Sequence, residues 1–201
     1  MRKTKDKYLP RRRIILASRS RARQKLLRDI GIQFTAAGSD VKEKRLIKTN
    51  CIDLVIENAL AKAKDVSKRF HSGIVIAADT VVLVGKKIVG KPRNIKDAVR
   101  TLKLLSRKPR WVYTGIAVVD MDNKKTYTAC GKTKVYMYHL NDKQVRDYFK
   151  RTSPLGKAGS FDIQGVGGVF IDRIEGCYYN VVGLPMAKLA KILKKTGMDV
   201  F

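Results

Sequence analysis

Apolar positions along the chain fall into short runs and helical stripes that alternate, and each predicts an element. Ile14-Ile15-Leu16-Ala17 has strand length and gives way at once to the polar loop Ser18-Arg19-Ser20-Arg21-Ala22-Arg23. A short helix near 22–30 follows, with Leu26, Leu27 and Ile30 as its apolar face and Gly31 placed to cap its end. Val55, Ile56, Ala59, Leu60 and Ala63 recur at helical spacing over 52–69. Gly73 then opens Ile74-Val75-Ile76-Ala77-Ala78, a continuous run of the kind buried on both faces, which Asp79 closes. Thr80–Val84 and Lys87–Val89 flank Gly85-Lys86, a two-residue hairpin turn with glycine first. Asn94 caps a helix over 95–106 that turns Ile95, Ala98, Val99, Leu102 and Leu105 inward.

The second half opens on a strand from Trp111 to Val119, turned around by Asp120-Met121-Asp122-Asn123. Lys125 to Leu140 alternates well enough for one long or two short strands, and 142–150 forms a small helix. Five glycines between Gly156 and Gly168 require backbone that bends sharply or lies close to something. Val169–Ile174 reads as a strand, and Pro185 opens a helix over 186–195 with Met186, Leu189, Ile192 and Leu193 on one face. Strands alternating with helices but including a hairpin predict an α/β fold with a mixed sheet.

Composition narrows the class. The chain has 201 residues, and its 44 Lys and Arg against 17 Asp and Glu leave a formal charge of +27. A 44% hydrophobic content is ordinary for a globular domain and excludes wholesale disorder. No apolar run approaches the ~18 residues of a membrane span. Cys51, Cys130 and Cys177 are odd in number and far apart, which argues against a disulfide framework or a zinc cluster. His71 and His139 show no ligand-like spacing. The chain therefore reads as soluble, intracellular and free of transition metal. Residues 1–13 hold seven basic residues and one acid without the apolar stretch of a secretory signal, a basic arm ahead of one domain over 14–201. Such an arm is a solvated extension or binds polyanions weakly and without sequence preference. Aromatics at 7% give little sign of a base-stacking platform.

Four segments can carry chemistry. The loop 18–23, with two hydroxyls and three arginines at a helix N-terminus, suits phosphate: free N–H groups, the helix dipole and guanidinium forks all favour oxygen anions. It lacks the spacing of a Walker loop. Asp79, at the end of an apolar strand, stands where open α/β sheets place ligands, and a carboxylate there requires a partner, a metal or a task. Lys91 is held in the stiff turn Gly90-Lys91-Pro92. Gln164 lies among glycines, where its amide can read a base edge or brace the loop.

Together these pieces resemble the Maf family. Ile15 to Leu27, Glu43, Asn58 to Ala63, Ala78 to Val82, Gly90 to Pro92, Tyr113 to Gly115, Ile163 to Gly165 and Tyr178 to Pro185 carry the resemblance, in register from residue 14 to 197. It implies an inosine-triphosphatase-like α/β fold, a twisted mixed sheet with flanking helices and two lobes around a cleft. The activity implied is hydrolysis of the α–β bond of nucleoside triphosphates to a monophosphate and pyrophosphate, with a divalent cation, Mg²⁺ or Mn²⁺. A cytoplasmic, dimeric house-cleaning enzyme linked to division arrest is the corresponding expectation. The resemblance assigns the general base to Asp79, phosphate handling to Ser18, Arg23, Lys62 and Lys91, and an acidic role in catalysis or metal binding to Glu43, with Asp79 and Glu43 as the metal positions. Thr80 and Gln164 look like the branch acting on dTTP and UTP. Ala22 stands where the family usually has arginine or tryptophan, within Ser20-Arg21-Ala22-Arg23 in place of S-P-R-R or S-P-W-R, so Arg19 or Arg21 would have to supply the missing charge. The alternatives are the same reaction on purine or other non-standard nucleotides, and a non-catalytic basic protein that binds nucleic acid or regulates division.

Overall fold

The computed structural model describes residues 12–44, 50–155 and 158–200. Its centre is a seven-stranded sheet, in order β2 (Thr35–Ala36), β1 (Ile14–Leu16), β3 (Ile74–Val84), β5 (Arg110–Asp120), β6 (Lys125–Met137) and β7 (Ile171–Glu175), with β4 (Lys87–Val89) folded back on β3. β1 runs parallel to β2 and β3, and every other pairing is antiparallel, so the sheet is mixed as the alternation predicts. The helices are α1 (Arg21–Asp29), α2 (Cys51–Ser67), α3 (Ile95–Arg107), α4 (Asp142–Arg151), α5 (Tyr178–Val182) and α6 (Met186–Lys195).

Local chemistry sets the boundaries. Asn50, Asn94 and Asn141 each cap the helix that follows by accepting from a backbone N–H three residues on. After α1, Gly31 takes φ +76°; its N–H donates to Arg28 O at 2.9 Å, and Ile32 N–H donates to Leu27 O at 3.0 Å. This left-handed turn throws Ile30 outward, 40% exposed, and buries Ile32 in its place, so the expected inward Ile30 is corrected. Ile95 is likewise exposed, at the first turn of α3 rather than in its core face.

Two further expectations change, and one left open is resolved. Asp79 does not end a strand: the β-branched residues after it keep β3 extended to Val84, and Asp79 pairs with Gly115 in mid-sheet. Val169 and Phe170 belong to a 3-10 turn, Gly165–Phe170, and β7 begins only at Ile171. Lys125–Met137 is one strand. Gly156, at the start of the glycine-rich stretch, and residues 1–11 of the basic arm lie outside the described residues.

Strand alternation divides the core. Ile14, Leu16, Ile74, Ile76, Ile116 and Val118 face α1 and α6, packing on Leu27, Leu189 and Leu193. Ile15, Val75, Ala77 and Ala117 face α2, packing on Ala59, Ala63 and Val66. The far halves of β3 and β5 enter a second region, where Val82, Val84 and Val112 meet Leu105 of α3. Leu102 continues it to Val145 and Tyr148 of α4. β3 and β5 thus run through both halves of the molecule.

The last two arm residues are tied to the domain. The Arg12 guanidinium pairs with Asp120 and Asp122 and donates to Thr196 O at 2.8 Å, and Arg13 lies 4.8 Å from the Phe70 ring centroid. Asp120 is 1% exposed, so its carboxylate depends on that pairing and on Asn123. Among the described residues no helix is long and apolar enough to cross a membrane, and the three cysteines are free thiols.

Candidate active site

The site forms where β1 stops and β3 runs on. β1 pairs with β3 only as far as Leu16 opposite Ile76 and the Ala17 N–H to Ile76 O bond, and β4 joins the same edge only from Val82, so between Ala77 and Val81 this edge of β3 has no strand beside it. The carboxyl end that matters is that of β1. Loop 17–20 and the start of α1 fill the gap, and Arg23 reaches the vacated edge by donating to Ala78 O at 2.9 Å.

On the α2 face, Asp79 is buried and accepts twice: Oδ1 from Lys62 Nζ at 2.7 Å, and Oδ2 from Asn58 Nδ2 at 2.9 Å. Lys62 Nζ also donates to Glu43 Oε1 at 2.7 Å, so one ammonium bridges two carboxylates. Asn58 and Lys62 stand one helical turn apart on α2, which points both at the sheet. Gly115, opposite Asp79, allows the approach: a Cβ there would run into the backbone carbonyl of Val55. The loop carrying Glu43 is pinned by the same Asn58, whose Oδ1 accepts from Lys44 N–H at 2.9 Å while Nδ2 donates to Lys44 O at 3.0 Å.

Glu43 is half-buried and, with Val41, Lys42 and Lys91, lines a cavity of about 610 Å³. Burial works to raise its carboxyl pKa; the Lys62 hydrogen bond and the charges of Lys62, Lys91 and Arg23 outweigh that and hold it below the ordinary carboxylate range. Lys91 is exposed at the same cavity. Asp79 lies behind Lys62 as seen from Glu43.

On the other face of β3, Arg23 is fixed almost completely. Nε donates to Gly183 O at 2.8 Å, Nη1 to Ala78 O and, at 3.4 Å, to Ser18 Oγ, and Nη2 to Thr80 Oγ1 at 2.9 Å. Four of its five N–H groups are therefore committed, leaving one on Nη2 with no acceptor among the described residues. Burial lowers the guanidinium pKa, and the nearby negative charges of Asp79 and Glu43 pull it back up. Ser18 is buried and accepts from Ser20 N–H at 3.2 Å, holding the loop rather than pointing at solvent.

Of the residues expected at the site, Asp79, Glu43 and Lys62 share direct contacts, Lys91 shares the cavity, and Ser18, Arg23 and Thr80 form a second bonded group. Ala22 is half-buried on α1. Arg19 is held by Asp40 at 2.7 Å and Arg21 is exposed. Gln164 is not joined to either group: its N–H donates to Asp162 Oδ1 at 2.9 Å, and its side-chain amide makes no hydrogen bond with the described residues. Asn58, Gly115 and Thr114 were not assigned roles from the residues alone. A helical reading of 52–69 does place Asn58 and Lys62 together, whereas Thr114 and Gly115 become visible only through strand pairing.

A mixed sheet whose interrupted edge gathers a cation-bridged carboxylate pair, a tethered arginine and a lysine-rimmed cavity defines an α/β protein built to hold an anionic, phosphate-bearing ligand beside acid–base groups. Known proteins agree. A family model described as Maf-like protein matches residues 13–196, and the chain belongs to the Maf family. A dTTP/UTP pyrophosphatase from Methanosarcina barkeri is 40% identical over 191 residues, covering 94% of this chain and 97% of that protein. One from Clostridium tetani is 41% identical over 189 residues, covering 92% and 98%. Among solved structures, a HAM1 protein from Coxiella burnetii superposes with a TM-score of 0.53 at 13% identity, covering 92% of this chain and 99% of that one, which shows a shared fold.

Proposed function

We propose that the protein is a nucleoside triphosphate pyrophosphatase acting on dTTP, UTP or modified pyrimidine nucleotides. The observation that carries the reading is Lys62 bridging Asp79 and Glu43 at the wall of a cavity that Lys91 also lines. Relatives of full length named dTTP/UTP pyrophosphatase support the same substrate. In this reading the triphosphate lies in the cavity with its charge facing Lys91, Lys62 and the free Nη2–H of Arg23. A water molecule gives its proton to Asp79 as its oxygen bonds to the α-phosphorus, and the bridging oxygen leaves with pyrophosphate. Positioning and charge neutralisation supply most of the acceleration in such transfers, with the carboxylate orienting the water.

The donor set fits a hard divalent cation. Mg²⁺ and Mn²⁺ take one or two carboxylates and complete their shell with substrate phosphates and water. Glu43 Oε2 has no hydrogen-bond partner among the described residues and faces the cavity, while both Asp79 oxygens already accept. Glu43 is thus the better placed of the two expected ligands. No group of three or more His, Cys, Asp or Glu side chains able to hold a metal occurs among the described residues, so the phosphates would complete the site. When bound, the cation supplies charge neutralisation on the phosphate oxygens.

Thr80 and Gln164 support the pyrimidine branch. The test is pyrophosphate release from a panel of standard and modified triphosphates with Mg²⁺ or Mn²⁺. UTP and dTTP should rank above ATP and GTP; a purine nucleotide or 7-methyl-GTP ranking first would overturn the assignment.

A further inference from the structure

A second set of buried hydroxyls runs inward from the site and has a direction. Thr114 is completely buried on β5, directly across from Thr80 on β3. Thr80 Oγ1 and Thr114 Oγ1 are 3.0 Å apart, and distance alone leaves the donor open. The neighbours decide it. Thr114 Oγ1 lies 2.8 Å from the main-chain carbonyl of Asn180, an acceptor only, so the single hydroxyl proton of Thr114 goes there. Thr114 must then accept from Thr80, whose own proton is committed inward. Thr80 Oγ1 consequently offers only lone pairs on its other side, and Arg23 Nη2 donates to one of them at 2.9 Å.

The far end of the chain is rigid. Asn180 is fully buried, and its Nδ2 donates to Val112 O and Thr133 Oγ1, each at 3.0 Å. Gly131 leaves room for that side chain, since a Cβ there would run into Asn180 Oδ1. Asn180 therefore cannot follow if Thr114 changes.

We infer that Thr114 is a positioning residue for phosphate binding: by fixing the proton of Thr80 it aims Arg23 Nη2, the nitrogen that carries the one uncommitted N–H of that guanidinium. The inference rests on the proposed triphosphate site but adds a residue outside it, two side chains removed from the ligand. Without Thr114 as acceptor, the Thr80 hydroxyl loses the partner that fixes its proton, so the lone pair it offers Arg23 Nη2 is no longer held in one direction.

The test compares Thr114→Val, nearly isosteric and without the hydroxyl, with Thr114→Ser, which keeps it. Two readouts are taken on the full chain: pyrophosphate release from UTP, and calorimetric binding of an α,β-methylene UTP analogue that cannot be cleaved at that bond. Thr114→Val should lower kcat/KM and weaken analogue binding by about tenfold, and Thr114→Ser should restore both to within about twofold. In an Arg23→Met background Thr114→Val should add no further loss, because the residue acts only through Arg23. Unchanged analogue binding in Thr114→Val, or losses that multiply with Arg23→Met, would overturn the inference. If Thr114→Val melts below the assay temperature, Thr114→Cys asks the same question with a weaker donor and acceptor. A protein that binds the analogue with this coupling yet releases no pyrophosphate would refute the proposed activity and leave the role of Thr114 standing; one that binds no analogue refutes both.

Discussion

Replacing Asp79 by asparagine separates the chemistry of the carboxylate from its structural role, and the geometry says how much each should cost. Asp79 meets two donors, Lys62 Nζ at 2.7 Å and Asn58 Nδ2 at 2.9 Å, one on each oxygen. An amide has one acceptor oxygen, so in either rotamer one donor faces an NH₂ group. The rotamer that keeps Lys62 leaves Asn58 Nδ2 with Lys44 O alone. A buried donor left unpaired costs about 1–3 kcal/mol. At roughly 2–4 °C per kcal/mol for a domain of this size, the melting temperature should fall by about 2–12 °C. The loss in rate should be far larger, ~10²–10⁴, as for a positioned general base. Binding of UTP should be kept or slightly tightened, since one negative charge near the phosphates is removed. Single-turnover pyrophosphate release, calorimetry with UTP and thermal melts measure the three effects. An Asp79→Asn enzyme within about tenfold of the parent rate would refute Asp79 as the base. An unchanged melting temperature would refute the two-donor geometry.

Lys62→Met should destabilise by about 3–5 kcal/mol because it strands the buried Asp79 carboxylate, and adding Asp79→Asn should recover part of that loss in urea melts. The folded-state pKa of Glu43 is depressed, so its contribution to stability is present above its unfolded value near ~4.3 and is lost as pH falls through the folded value; Glu43→Gln should flatten that acid limb in pH-dependent unfolding. Gly115→Ala should cost about 1–3 kcal/mol by pushing α2 off the sheet, with a drop in turnover as Asn58 and Lys62 move with it. With a formal charge of +27, the protein should bind nucleic acid weakly, with an affinity in filter binding that falls steeply with added salt and does not distinguish a sequence from its scramble.

Periodicity made most of this fold legible. Runs such as Ile74–Ala78 and the stripes of α2, α3 and α6 could only be satisfied inside a layered α/β structure, and the Asn94 cap marked where α3 starts. What escaped was set by partners distant in sequence. Asp79 reads as a strand terminator because a lone carboxylate is unwelcome in a sheet; Lys62 and Asn58, contributed by α2, make it tolerable. The loop holding Glu43 has no apolar rhythm, and its place depends on two hydrogen bonds to Asn58. α5 is five residues long with Gly183 at φ +113° as its stop, too short for periodicity to register. Ile30 and Ile95 were misplaced because a spacing rule does not know that the last and first turns of a helix lie beyond the core.

The two halves of the site depend on a single topological fact. Because β1 ends at Leu16 while β3 continues to Val84, β3 carries Asp79 and Thr80 past its parallel neighbour, on opposite faces and one residue apart. One face receives α2, and there a cation between two acids holds charge ready beside the cavity. The other receives α1 and α5, and there neutral hydroxyls fix an arginine that is charged in either case. Exchanging the two kinds of group would fail on each side. A neutral donor in place of Lys62 would leave two carboxylates facing each other without a countercharge, and a carboxylate in place of Thr80 would bind Arg23 by charge and compete with the phosphate it is there to meet. The assignment of ionic bonding to the α2 face and hydroxyl bonding to the α1 face is therefore what allows one strand to present a base and an anion holder from adjacent residues.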